Sequence, residues 1–225
     1  MLIGAVADIH GNFDALYRAM ARHGDVRLWI CVGDVASVTG AYPEPSAPMY
    51  WIKGNNEQFD RIAAWEAGES LPPNLHYIRN GTSARVGPLT VAGVGGTYAP
   101  TWFDTPAAAL PHTPKDDKRR HFVREEVDAC RQLRGVDILM THEAPRPFIV
   151  VPEARAAGKR RDAGKPVIND LLATVQPRLH LCGHHHRFVE TTREGVRSVC
   201  IDRINRSYLL IDAETLQYQK MISER

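Results

Sequence analysis

The chain has 225 residues, 44% hydrophobic and 24% charged, with a formal net charge of +2. These values exclude a disordered or fibrous polypeptide, and the length suits one well-buried domain over 1–225. So small a net charge also excludes wholesale attraction to nucleic acid or membrane, and any basic site must be local.

The opening stretch MLIGAVADIHG is apolar for only a few residues before its first charged group, too short for a signal or spanning segment. A soluble, untargeted chain is expected. LIGAVAD reads as a first strand. A helix over 12–23 follows, with Phe13, Leu16, Tyr17 and Met20 on one face and Asn12 as N-cap.

RLWICVGD and MYWIKGN read as the next strands, separated by a Pro-rich loop over 35–48, and a second helix is expected over 56–67. LTVAGVGG is a further strand. Its GVGG lacks the third glycine and the acidic residue of a dinucleotide-binding loop, so these glycines are read as allowing close backbone approach.

A helix is expected over 117–133, then the strand VDILMTH, a long loop over 142–165, a helix over 166–175 and the strand RLHLCGH. Beyond 186 only strand signals remain (RFVETT, VRSVCID, SYLLID), with a turn at Glu194-Gly195. Antiparallel strands are therefore expected there rather than another βα unit.

The alternation of strands and helices argues for an α/β layered fold. Cys31, Cys130, Cys182 and Cys200 lack the paired spacing of a zinc or redox motif, and reduced, buried thiols in a cytoplasmic protein are expected.

Polar groups follow five of the strands: Asp8 and His10, Asp34, Asn55 and Asn56, His142, and His184 to His186. Alone, each reads as an ordinary turn or surface cluster. Together they read as a site, because loops at the carboxyl ends of strands converge on one crevice. Carboxylate and imidazole suit borderline divalent cations, and the ligands exceed what one ion needs; two ions sharing a carboxylate would use them. The basic segment with Arg155, Lys159, Arg160, Arg161 and Lys165 reads either as a solvated loop or as a contact for a phosphate-containing substrate.

The ordered set ADIHGN, VGDV, KGNNE, THEAP and CGHHH, from residue 8 to residue 186, resembles the motif series of the calcineurin-like metallophosphoesterase superfamily. The resemblance implies a four-layer αββα sandwich of two packed mixed β-sheets flanked by helices. It also implies a two-metal centre that hydrolyses phosphate esters through a metal-activated hydroxide. Asp8, His10 and His186 resemble the ligands of one metal, Asn55, His142 and His184 those of the other, and Asp34 the bridge. The cofactors implied are two divalent ions, Mn²⁺ foremost, with Fe²⁺, Zn²⁺, Ni²⁺ or Mg²⁺ as alternatives. His185 is expected to point away, as alternate side chains do in an extended segment. His10 and Asn56 occupy catalytic positions, and Arg146, His112, His121, Lys159 and Arg160 are candidate substrate contacts. The expected partner is a phosphate-ester substrate, with RNA and nucleotides among the candidates.

One position departs from the pattern. Many members of the superfamily carry, after the ligand asparagine, a histidine that resembles a general acid; here it is Asn56, and an amide cannot release a proton. Either Asn56 donates a hydrogen bond to the phosphoryl group, favouring phosphodiesters or good leaving groups, or His112 or His121 in the 97–122 insertion supplies the proton. GGTYAP, RHFVREEV, VDILMTHEAPRP and VCIDRINRSYLLID are also similar in order and spacing to the catalytic domain of lariat RNA debranching enzymes, which cleave 2′,5′-phosphodiester bonds. That domain's cysteine-bearing recognition loop has no evident counterpart. The expected activity is a metal-dependent phosphodiesterase. The alternatives are a phosphomonoesterase or phosphoprotein phosphatase, and a catalytically weak metal-binding scaffold.

Overall fold

Most strand runs in this chain are short, and alternate side chains face opposite ways, so each strand can join two cores at once. The computed structural model describes residues 1–113, 115–150 and 161–224. Its main strands are β1 (Leu2–Val6), β2 (Trp29–Cys31), β3 (Met49–Trp51), β4 (Leu75–Tyr77), β5 (Thr82–Val86) and β6 (Leu89–Val94). They continue with β7 (Ile138–Thr141), β8 (Leu179–Cys182), β9 (Val189–Arg193), β10 (Val196–Cys200), β11 (Ser207–Asp212) and β12 (Tyr218–Ile222). The α-helices are α1 (Phe13–Arg22), α2 (Phe59–Glu66), α3 (Arg124–Arg131) and α4 (Pro166–Val175).

Two six-stranded sheets result, ordered β12-β11-β1-β2-β3-β4 and β9-β10-β8-β7-β6-β5. Strands β1 to β4 are parallel, as are β6, β7, β8 and β10, and antiparallel strands flank these parallel blocks. Ile3, Ala5, Ile30 and Leu209 of the first sheet meet Val91, Ile138, Met140 and Leu181 of the second in one buried core. The opposite face of the first sheet, with Val6, Trp29 and Trp51, packs on Leu16 and Met20 of α1 and Phe59 and Ile62 of α2. Ala92, Val94 and Leu139 of the second sheet pack on Val127 of α3 and Ile168 and Leu171 of α4. These are the four layers of an αββα sandwich.

Helix α1 is capped as expected, the Asn12 side chain accepting the Ala15 N–H at 3.4 Å. Its buried face is Ala15, Leu16, Ala19 and Met20, while Tyr17 stays exposed and its hydroxyl accepts the Glu44 N–H. Helix α4 matches its expected bounds and begins with proline, whose missing N–H costs nothing at that position.

Elsewhere the elements differ from expectation. The helix over 117–133 is a short 3₁₀ turn, Lys118–Arg120, followed by α3. Thr97 captures the intervening backbone, donating to the Arg120 carbonyl and accepting the Phe122 N–H. Helix α2 starts at Phe59 rather than 56, because the Asn56 N–H is committed to Asp34. Strands β4, β5 and β12 were not expected. The C-terminal antiparallel hairpin does form through Glu194 and Gly195, both at positive φ, yet its strand β10 lies parallel to β8. Arg155, Lys159 and Arg160, with the rest of 151–160 in the 142–165 loop, fall outside the described residues. All four cysteines are free and buried. Among the described residues no helix is long and apolar enough to cross a membrane.

One buried polar group in the second sheet is fully satisfied. Thr141 Oγ1 donates to the Glu143 carbonyl at 2.6 Å, so it accepts from His180 Nε2 at 2.8 Å, and His180 Nδ1 accepts from Ser198 Oγ at 2.6 Å. That pattern requires a neutral imidazole. Burial pushes the His180 pKa down to about 3. The unfolded chain binds this proton near pH 6.5 and the folded chain does not, so stability is retained above that pH and lost below it. His180 alone should remove about 1.4 kcal/mol per pH unit on acidification between the two values. Urea unfolding at pH 7, 6, 5 and 4 should show a steeper acid decline in the wild type than in His180→Gln; parallel declines would refute this account.

Candidate metal centre

Every group singled out at a strand end lies where the parallel strands of the two sheets finish: Asp8 and His10 after β1, Asp34 after β2, Asn55 after β3, His142 after β7, and His184 and His186 after β8. Bringing these ends together demands close backbone approach. A Cβ on Gly54 would lie 2.0 Å from Asp34 Oδ1, and one on Gly33, at φ 103°, would lie 2.7 Å from His142 Nδ1. Asp8, His10, Asp34, His184 and His186 themselves adopt φ between 48° and 66°. Left-handed backbone at a non-glycine residue costs roughly 1–2 kcal/mol. Five such residues at one crevice are held there by the surrounding structure.

Two groups of donor atoms form. Asp8, His10, Asp34 and His186 offer atoms within 4.8 Å of one another, as do Asp34, His142 and His184. In the first, His10 Nε2 lies 3.1 Å from His186 Nε2 and 3.4 Å from Asp34 Oδ2, and His186 Nε2 lies 3.3 Å from Asp8 Oδ1. In the second, His142 Nε2 lies 3.5 Å from Asp34 Oδ2 and 3.0 Å from Asn55 Oδ1. Asp34 belongs to both.

His142 Nδ1 donates to the Val32 carbonyl at 2.8 Å, which turns Nε2 toward Asn55 and Asp34. In the neutral ring Nε2 and the Asn55 oxygen would be two lone pairs 3.0 Å apart. Either a proton on Nε2 or a cation must lie between them, so the arrangement fits a bound metal ion. Asp34 is 1% exposed and His142 fully buried. Burial opposes charge on both, yet each stabilises the charged form of the other, holding Asp34 below the usual carboxylate range and His142 above the imidazole range. Burial lowers the pKa of His10 and takes His184 down to about 4, which keeps their rings neutral and able to ligate.

His185 does point away, stacking on Phe148 with ring centroids 4.4 Å apart. The cause is not an extended strand. His185 N–H donates to the Gly183 carbonyl at 2.7 Å across His184 at positive φ, a three-residue turn that reverses the side-chain directions.

Asn56, expected at a catalytic position, lies against the shared carboxylate of Asp34. In this structure its backbone N–H donates to Asp34 Oδ1 at 2.8 Å and its Nδ2 to Asp34 Oδ2 at 2.9 Å. The described candidate substrate contacts, Arg146, His112 and His121, have neighbours elsewhere. Arg146 is exposed and pairs with Asp162 at 2.7 Å; His121 hydrogen-bonds Thr97 and Arg120. His112 lines a cavity of about 300 Å³ with Lys53, Phe59, Arg119 and Glu126.

Sequence reasoning missed Glu57. It is 8% exposed and its carboxylate accepts from the N–H groups of Val35, Ala36 and Gly54 and from the Tyr42 hydroxyl, at 2.9 to 3.2 Å. Burial and the nearby Asp34 charge push its pKa up to about 7. It ties the loop after β2 to the loop after β3, which carry Asp34 and Asn55. The only sequence signal was an acidic residue directly following two asparagines.

The chain belongs to the calcineurin-like phosphoesterase superfamily, whose domain model matches residues 1–201. Among individual relatives, it is 25% identical over 193 residues to a lariat debranching enzyme of Schizosaccharomyces pombe, covering 79% of this chain and 42% of that protein. It is 27% identical over 202 residues to CWF19-like protein 1 of Mus musculus, covering 83% of this chain and 36% of the other. The chain thus spans less than half the length of these relatives. Its fold is similar to that of TT1561 of Thermus thermophilus (TM-score 0.66, 15% identity, 98% of both chains) and to that of an archaeal phosphodiesterase (TM-score 0.54, 13% identity, 99% of both).

Replacing Glu57 by Gln puts an amide donor against backbone donors. Glu57→Gln should lower stability by about 1–3 kcal/mol and weaken divalent-cation affinity, although Glu57 is no ligand. Urea unfolding and a Mn²⁺ titration check this; an unchanged affinity would remove Glu57 from any role in aligning the two loops.

Proposed function

We propose that this protein is a hydrolase of phosphate esters that works with two divalent cations, with phosphodiesters preferred. The observation that carries the reading is Asp34, whose carboxylate is common to two donor groups that together use seven side chains from five strand ends. Asp8, His10 and His186 would hold one ion, and Asn55, His142 and His184 the other, with Asp34 between them. Bound cations of this kind supply Lewis-acid activation of water and neutralise charge on phosphoryl oxygens. The neutral ligands His10, Asn55, His184 and His186 leave net positive charge facing an anionic substrate. His10 and His186 are the two half-buried members of the first group, 23% and 35% exposed at their side chains, and His10 is the catalytic candidate of the pair.

The preference for diesters rests on Asn56. Its side chain cannot release a proton, and one of its two Nδ2 N–H groups is committed to Asp34. A leaving oxygen that needs protonation gains nothing from it. The relationship to lariat debranching enzymes supports RNA or a nucleotide as the substrate class.

Protein loaded with Mn²⁺ should turn over bis-p-nitrophenyl phosphate faster than p-nitrophenyl phosphate. Asp34→Asn should lose about 10²-fold or more of both activities together with bound metal. Undiminished activity in that variant would overturn the shared-ligand assignment. Asn56→His should raise the monoester rate relative to the diester rate; an unchanged ratio means that the missing acid does not set the preference.

A further inference from the structure

The loop between β10 and β11 crosses the metal-centre end of both sheets. Ile201 N–H donates to the Cys182 carbonyl at 2.8 Å, at the end of β8, and Ile204 N–H donates to the Ala7 carbonyl at 3.1 Å, directly before Asp8. Ile204 is 1% exposed and anchors the loop. The backbone of Arg203, between these anchors, is fully engaged: its N–H donates to Asp202 Oδ1 at 2.8 Å, and its carbonyl accepts from the N–H groups of Arg206 and Ser207. Arg206 reaches the His186 carbonyl with Nη1 at 3.3 Å.

The Arg203 side chain is different. It is half-buried, and among the described residues its guanidinium has neither a carboxylate partner nor a hydrogen-bond acceptor. Arg18, Arg27 and Arg61 are also without such partners but are exposed to water. Arg203 is near enough to His10 for its charge to act there. A partly desolvated cation beside a candidate phosphate-ester site is incomplete without an anion. The planar guanidinium fork matches two oxygens of a phosphoryl group.

We propose that Arg203 is a substrate-contacting residue whose guanidinium holds non-bridging phosphoryl oxygens on the Asp8, His10 and His186 side of the site. The inference rests on the phosphoesterase reading and names the side chain that recognises the anion there. Arg203 binds phosphate rather than metal, so its loss leaves the donor groups intact.

The test uses inorganic phosphate as the probe, with Mn²⁺-loaded wild type, Arg203→Ala and Arg203→Lys compared by isothermal titration, bis-p-nitrophenyl phosphate kinetics and metal analysis. Arg203→Ala should weaken phosphate binding and raise KM by about 10-fold or more, with wild-type metal content and melting temperature. Arg203→Lys, which keeps the charge but not the fork, should recover part of the loss. Wild-type turnover with unchanged phosphate affinity and KM in Arg203→Ala overturns the proposal and leaves the phosphoesterase reading standing. Loss of bound metal in both variants overturns it as well, since the role would then be structural. Wild type that binds phosphate through Arg203 but hydrolyses no ester keeps the anion site and overturns the phosphoesterase reading. Wild type that neither binds phosphate nor hydrolyses an ester overturns both.

Discussion

The carboxylate of Asp34 is the group around which this end of the molecule is arranged. It lies 1% exposed between the two sheets, in the company of Asp8 at 1% and Glu57 at 8%. Burying one carboxylate is unfavourable, and burying three near one another is tolerated only where donors and cations answer each charge. The donors are visible. Asn56 supplies two N–H groups to Asp34, His184 N–H serves Asp8, and three backbone N–H groups with one hydroxyl serve Glu57. What these donors leave unanswered faces the imidazoles, where a proton on His142 or divalent cations must complete the balance.

The fold makes this concentration of charge possible by geometry rather than by local sequence preference. Each sheet has a block of parallel strands whose carboxyl ends finish at the same crevice, so side chains as far apart in sequence as His10 and His186 come within 3.1 Å. Extended backbone would then alternate the side chains up and down and scatter the ligands. Left-handed turns at five of the seven proposed ligands re-aim them inward instead. The conformational cost at these positions is offset by the sandwich core beneath, from Ile3 and Ile30 through Met140 and Leu181. The sheets thus act as the rigid support and the strand-end turns as the aiming device.

The layered fold and the donor set were legible in the sequence for related reasons. Buried central strands such as LIGAV and ILMT carry unbroken apolar runs, and each ends on polar residues that no packing argument explains. The unexpected strands lack that signature. In β5 (TSARV) only Val86 is buried, and β12 (YQKMI) has no fully buried residue, so these edges form because a paired neighbour offers its backbone. The helix over 117–133 failed because Thr97, distant in sequence, claims backbone groups at 120–122. Glu57 and Arg203 were illegible for a third reason. A glutamate and an arginine are ordinary surface residues in a sequence, and only the fold reveals one buried among four donors and the other half-buried without a partner among the described residues.

The pair Asn55-Asn56 shows how the same residue type serves two ends. Asn55 turns its acceptor, the amide oxygen, toward His142, whereas Asn56 turns its donors toward Asp34. A histidine at position 56 could also offer Asp34 one side-chain hydrogen bond, and its protonated ring would keep a second N–H to deliver. Asparagine gives up the transferable proton and holds Asp34 Oδ2 with its amide, while its backbone N–H holds Oδ1. The absence of a transferable proton and the hold on Asp34 Oδ2 therefore meet in one side chain, while the hold on Oδ1 belongs to the backbone.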